Sequence, residues 1–101
     1  MKLHEIYGTF LSLVSAKERI ESFCLLDFEE HESSYYGLYY IYGKKYEGES
    51  FQIVNNIDLL DNEPLEEGGF PVVLYVNNTN PDQNEVFATL EDFVLISSEH
   101  F

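Results

Sequence analysis

The sequence predicts an α+β protein: a helical arm over residues 3–26, packed on one face of a four- to five-stranded, mainly antiparallel sheet over residues 35–97. Three observations predict it. Apolar residues recur every three or four positions near the N-terminus. Runs of aromatic and β-branched residues fill most of the remainder. The links between those runs are short, as antiparallel neighbours require. With 101 residues, of which 45% are hydrophobic and 16% aromatic, the chain is expected to fold as one domain with its own core. A disordered acidic segment would lack those aromatics.

The arm begins with Leu3, Ile6, Tyr7, Phe10, Leu11, Leu13 and Val14, which project onto one broad helical face. That stripe breaks at Lys17 and Glu18, where Ser15-Ala16-Lys17-Glu18 reads as a capping box. A second helix starting at Ala16 would then bury Ile20, Phe23 and Cys24; a single longer helix is the alternative. Residues 27–34, DFEEHESS, read as a polar loop or frayed helix end. Residues 35–42 carry strand-forming aromatics without a helical stripe. Gly43-Lys44-Lys45 makes a turn, and residues 50–55 alternate, with Phe51 and Ile53 on one face and Ser50 and Gln52 on the other. These two runs form the expected hairpin.

A polar connection follows, anchored by Ile57, Leu59 and Leu60. Residues 70–77 form the next strand, NNTNPDQN reads as a turn, and residues 85–89 and 92–97 supply the last strands across a turn at Leu90-Glu91. The runs 35–42 and 70–77 are apolar on both parities. One layer of helix covers one side of a sheet, so the other side either stays partly exposed or is covered by something else. Tyrosine suits a face that is dry when bound and wet when free.

Charge carries the functional information. Nineteen acids against five bases give a net charge of −14, and the bases Lys2, Lys17, Arg19, Lys44 and Lys45 all precede residue 46. Such a field repels nucleic acid and anionic membranes and attracts basic proteins. The hairpin aromatics resemble a base-stacking platform, but Lys44-Lys45 cannot supply the positive backbone track it needs. No apolar run approaches the roughly 18 residues of a membrane span. The N-terminus, interrupted by Glu5, reads as mature sequence rather than a signal peptide. A lone cysteine, Cys24, excludes an internal disulfide and fits a reducing cytoplasm. Without a secretory signal, the Asn77-Asn78-Thr79 sequon carries little meaning.

No catalytic constellation emerges, so the chain is expected to be no enzyme and to use no cofactor. Asp27, Glu29, Glu30, His31 and Glu32 are the one cluster of metal-ligand types, yet they lack the spacing of a zinc or calcium site and read as a solvated acidic loop. Cys24 reads as a structural thiol on an apolar helix face. Gly68-Gly69 is followed by neither P-loop nor dinucleotide spacing. The suggestive residues are instead Asp58, Asp61, Glu63, Glu66 and Glu67, an acidic finger before that glycine pair, together with Tyr39, Tyr42, Tyr46 and Tyr75 as surface phenols. Phenols among carboxylates make a natural hot-spot composition.

In size, acidity, lone cysteine and helix-then-sheet order, the whole chain resembles bacterial immunity proteins that neutralise nuclease toxins, including those of contact-dependent growth inhibition systems. The resemblance implies a cytoplasmic antitoxin in one-to-one complex with a cognate toxin domain, an RNase acting on tRNA, whose basic active site it occludes. It carries over no individual residue. Two other readings stand beside it: a phage-encoded nucleic-acid mimic of the anti-restriction or anti-CRISPR kind, and a structural protein whose tyrosine face meets its own copy.

Overall fold

In the computed structural model, which describes residues 3–24, 27–43, 50–79 and 90–100, the chain is α+β with one antiparallel sheet. Its elements run β1 (Leu3–Thr9), α1 (Leu13–Cys24), β2 (Glu29–Ser33), β3 (Gly37–Tyr42), β4 (Ser50–Asn55), β5 (Val72–Thr79) and β6 (Phe93–His100). The sheet order is β2-β3-β4-β5-β1-β6. The N-terminal strand therefore sits deep in the sheet, between β5 and β6.

That position corrects the predicted arm. Residues 3–9 form a strand, and only Leu13–Cys24 is helical. The three-and-four spacing of Leu3, Ile6, Tyr7 and Phe10 is real, but pairing on both sides of β1 decides the conformation. Glu5, Tyr7 and Thr9 alternate onto one side and are all buried. Gly8 faces the other way, and a Cβ there would lie 2.2 Å from the Phe70 ring, so the close approach of that ring requires glycine. The order is thus strand, helix, sheet, not the helix-first order on which the immunity-protein resemblance drew.

The helix starts at a different cap from the predicted one. Ser12 Oγ accepts from the Ser15 backbone N–H at 3.2 Å, the N-cap to N3 contact, so Ser15 lies within the first turn. Ala16 and Ile20 are fully buried on the sheet side, with Leu11 and Leu13 packed beside them. Phe23, expected inside, is exposed. Lys17 lies 5.2 Å above the Tyr40 ring and pairs with Glu21 at 3.5 Å, which fixes the helix by its polar edge as well. Glu21 also accepts the Phe28 N–H at 2.9 Å and so ties the helix to the entry of β2.

Residues 29–33, expected as loop, are the edge strand β2, paired with β3 from Glu29↔Ile41 to Ser33↔Gly37. Four of its five side chains are exposed, so no apolar periodicity marks it, and its carboxylates protect the edge from further pairing. The β3–β4 hairpin is present, with β4 at its expected bounds and β3 starting at Gly37 rather than Tyr35, in the register Tyr39↔Val54 to Tyr42↔Phe51. Its connecting residues 44–49 and the strand expected at 85–89 lie outside the described residues. Strands β5 and β6 begin within two residues of their predicted starts.

Register divides the sheet into two faces. Tyr40↔Ile53↔Leu74↔Tyr7 runs across the helix-covered side, with Phe51↔Val76 in the next row. These residues join Ala16, Ile20, Phe28, Leu90 and Phe93 in one core. Ile41↔Gln52↔Tyr75↔Ile6 and Tyr39↔Val54↔Val73↔Gly8 line the reverse side. Val54 and Val73 are fully buried there without any helix.

Candidate functional site

What covers the reverse side is the connection 56–71. Asn56 holds it at both ends. The Asn56 side chain donates to the carbonyls of Glu66 and Phe70 at 2.9 and 2.7 Å and accepts the Glu66 N–H at 2.8 Å, while its backbone N–H donates to the Pro71 carbonyl. Phe70 then seats over Gly8 and against Phe10, ring centroids 5.0 Å apart. Asn56 was not singled out in the sequence, where its only signal was a polar pair, Asn55-Asn56, closing a strand.

Within this cover, residues 58–63 form a small turn. Asp58 bridges to Glu63 through its backbone, and Asn62 closes the turn at a φ of 64°. Two carboxylates are spent on local geometry: Asp58 Oδ1 accepts the Leu60 N–H and Asp61 Oδ1 the Glu63 N–H. The tip presents Leu60, 75% exposed, with Leu59 half-exposed beside it. Leu59 donates its N–H to the Tyr35 carbonyl and approaches Gly37, which docks the turn on the start of β3.

Phenols and carboxylates meet here. The Tyr75 hydroxyl donates to Glu66 Oε2 at 2.8 Å. Burial, then this hydrogen bond and the Glu66 charge, push the Tyr75 phenol well above its ordinary range. Tyr35 is raised in the same direction by partial desolvation and by Asp58 beside it. Tyr36 contacts Tyr35 edge-on at 5.0 Å and Tyr39 at 5.4 Å, and His31 flanks Tyr39 at 5.8 Å.

Of the predicted interface residues, the structure brings together Tyr39, Tyr75, Asp58, Asp61, Glu63 and Glu66 on this reverse side, with Glu67 next along the covering connection. It separates Tyr42, which points to the helix-covered side and stacks on Phe51 at 5.6 Å. Tyr46 lies outside the described residues. Tyr35 and Tyr36 were missed because the turn that presents them was read as strand. The cluster Asp27–Glu32 does not converge, since the pleat sends Glu29 and His31 to one side and Glu30 and Glu32 to the other. Among the described residues, no group of three or more His, Cys, Asp or Glu side chains is placed to hold a metal ion. The Cys24 side chain lies outside the described part.

Acids occur on both sides of the sheet, but the described bases do not. Lys17 and Arg19, the described lysine and arginine, both belong to α1 and are engaged by Glu21 and Asp92. The reverse side carries Glu29, Asp58, Asp61, Glu63, Glu66 and Glu67, and Glu99 opposite His4, without a lysine or arginine among the described residues.

One buried polar group stands apart. Gln52 is 4% exposed, and its amide has no hydrogen-bond partner among the described residues. It lines an open pocket of about 200 Å³ with His4, Tyr36, Tyr75 and Asn77. Asn77 Nδ2 donates to Ser50 Oγ at 3.2 Å on the same side.

No described helix is long and apolar enough to cross a membrane. Compared with known proteins, the chain matches no family model, no curated protein and no solved structure.

Proposed function

We propose that the chain is a binding protein that docks a cationic protein on the loop-covered side of its sheet. The observation that carries this reading is that the loop-covered side joins Tyr35, Tyr36, Tyr39 and Tyr75, the exposed Leu59 and Leu60, and carboxylates with no described lysine or arginine, whereas on the helix side the carboxylates are accompanied by Lys17 and Arg19. Exposed Leu59 and Leu60, with Tyr35, Tyr36 and Tyr39, supply the apolar centre such an interface needs. Asp61, Glu63 and Glu67 form a solvent-exposed acidic rim. Rim charge of this kind steers encounter and sets the association rate more than the final affinity.

The narrower form of the proposal is an immunity protein that occludes a nuclease toxin. Nuclease sites are basic because they hold phosphates, so an acidic blocker gains attraction and competition from the same carboxylates. The partner is then one basic toxin domain per chain, and the mechanism is steric and electrostatic occlusion without catalysis or cofactor.

The test compares two triple variants matched in charge. Asp61→Asn, Glu63→Gln and Glu67→Gln neutralise the proposed rim, whereas Glu18→Gln, Glu30→Gln and Glu32→Gln neutralise the helix side. Immobilised parent protein is expected to retain a basic protein from its native lysate at low salt and to release it as the Debye length contracts from about 10 Å at 0.1 M salt to about 3 Å at 1 M. The rim variant should lose that retention and the helix-side variant keep it. Equal behaviour of the two variants would place the interface elsewhere.

A further inference from the structure

We propose that the pocket between His4, Tyr36, Gln52, Tyr75 and Asn77 receives one arginine side chain of the basic partner. The inference rests on the docking reading above and adds the contact that anchors it. Its size decides first: about 200 Å³ lies below the roughly 300–1,000 Å³ of pockets for drug-sized ligands, yet holds a single planar head group.

The lining chemistry decides next. The Gln52 amide is buried and unpartnered among the described residues, and Asn77 turns one amide N–H to Ser50 while its Oδ1 carbonyl remains an acceptor. Tyr75 gives its proton to Glu66, so its oxygen keeps acceptor capacity. The pocket therefore combines the amide carbonyls of Gln52 and Asn77 with the aromatic side chains of Tyr36 and Tyr75. Glu66 stands at one flank, and Glu99 stands at the other, opposite His4. A guanidinium matches this set with five donors in a plane, a face that stacks on tyrosine, and a permanent positive charge. An ammonium would satisfy fewer acceptors and stack less well. A phosphate would meet carboxylates and no described lysine or arginine.

The pocket separates from the rim in a titration with isolated ligands. The probes are N-acetyl-arginine methylamide, its lysine counterpart and its citrulline counterpart, which keeps the planar shape and loses the charge. Nuclear magnetic resonance follows the side-chain amide signals of Gln52 and Asn77. The arginine probe is expected to move both signals saturably, with at least tenfold weaker binding of the lysine and citrulline probes. Gln52→Leu should abolish the response while keeping a dispersed, folded spectrum. If that variant fails to fold, Tyr36→Leu replaces it, removing an aromatic wall while keeping apolar bulk; it should weaken arginine binding severalfold. Equal binding of citrulline, no saturable shift with arginine, or undiminished arginine binding by the pocket variant would each overturn the proposal. Loss of partner retention in the rim variant together with a silent pocket would remove the anchor alone. A saturable arginine site on a chain whose rim variant still binds its partner would remove the docking reading alone.

Discussion

The two sides of the sheet are covered by different means, a helix on one and a loop on the other, although each buries some polar groups, Glu5 and Thr9 among them on the helix side. Under α1, the rows Tyr40–Ile53–Leu74–Tyr7 and Phe51–Val76 close into a largely apolar core. On the reverse side, full burial extends to Ser50 and near-complete burial to Gln52 and Asn77, and the Tyr75 phenol hydrogen-bonds Glu66 at the margin. A helix buries a face by its repeating stripe. A loop buries it through a few anchors, here Asn56, Phe70 and Leu59. The first arrangement stabilises the fold; the second trades some of that for a chemically varied surface.

Substitutions on each side sharpen the contrast, beginning with the largest effect. Leu74→Ala, at the centre of the helix-covered side, is expected to cost about 2–5 kcal/mol, since it removes buried methyls and leaves a cavity. Urea unfolding should record a lower midpoint with an unchanged slope. Asn56→Ala removes three side-chain hydrogen bonds from the ends of the cover and should cost roughly 2–3 kcal/mol, each bond contributing about 1 kcal/mol net. Unlike the core variant, it should open the cover locally, seen as faster hydrogen exchange of the Glu66 amide at a denaturant concentration where α1 stays protected.

Tyr75→Phe is expected to cost about 1 kcal/mol at neutral pH, and its signature lies at high pH. The folded Tyr75 phenol is raised, so the unfolded chain ionises first, near the ordinary phenol value of about 10. The stability held by the neutral phenol is fully present below that pH and is lost as pH rises beyond it. The parent should therefore lose more stability between pH 9 and about 11 than Tyr75→Phe does. Tyr7, raised likewise by burial and by Glu5 on the helix-covered side, keeps a residual slope in both. The smallest effect belongs to the rim: Asp61→Asn, Glu63→Gln and Glu67→Gln together should leave the thermal midpoint almost unchanged, since exposed substitutions stay within about 0.5 kcal/mol each.

Much of the helix-covered side was legible in the sequence, because its determinants are local. Phe51 and Ile53 alternate against Ser50 and Gln52, and the structure keeps that division. Strand β1 misled because its apolar residues fit helical spacing, while the deciding facts, pairing with β5 and β6 and the ring of Phe70 over Gly8, join residues distant in the chain. Gly8 was the available warning, since glycine inside a helix costs about 1 kcal/mol against alanine. Strand β2 carries no periodicity to read. At the site, the acidic run over 58–67 and Tyr75 were visible, but their convergence with Tyr35 and Tyr36 depends on where the connection folds back. Gln52 is buried in a row between Ile41 and Tyr75, although its alternation alone would leave it facing water. Tyr42 was separable by parity, since it sits an odd number of residues from Tyr39 in one strand.

Hydrogen exchange of the chain, free and bound to the basic protein it retains, tests the central claim most directly. Docking on the loop-covered side predicts new protection of amides in residues 34–36 and 57–69, with the exchange of α1 unchanged. Protection confined to α1 and its neighbours, with residues 57–69 exchanging as in the free chain, would contradict it.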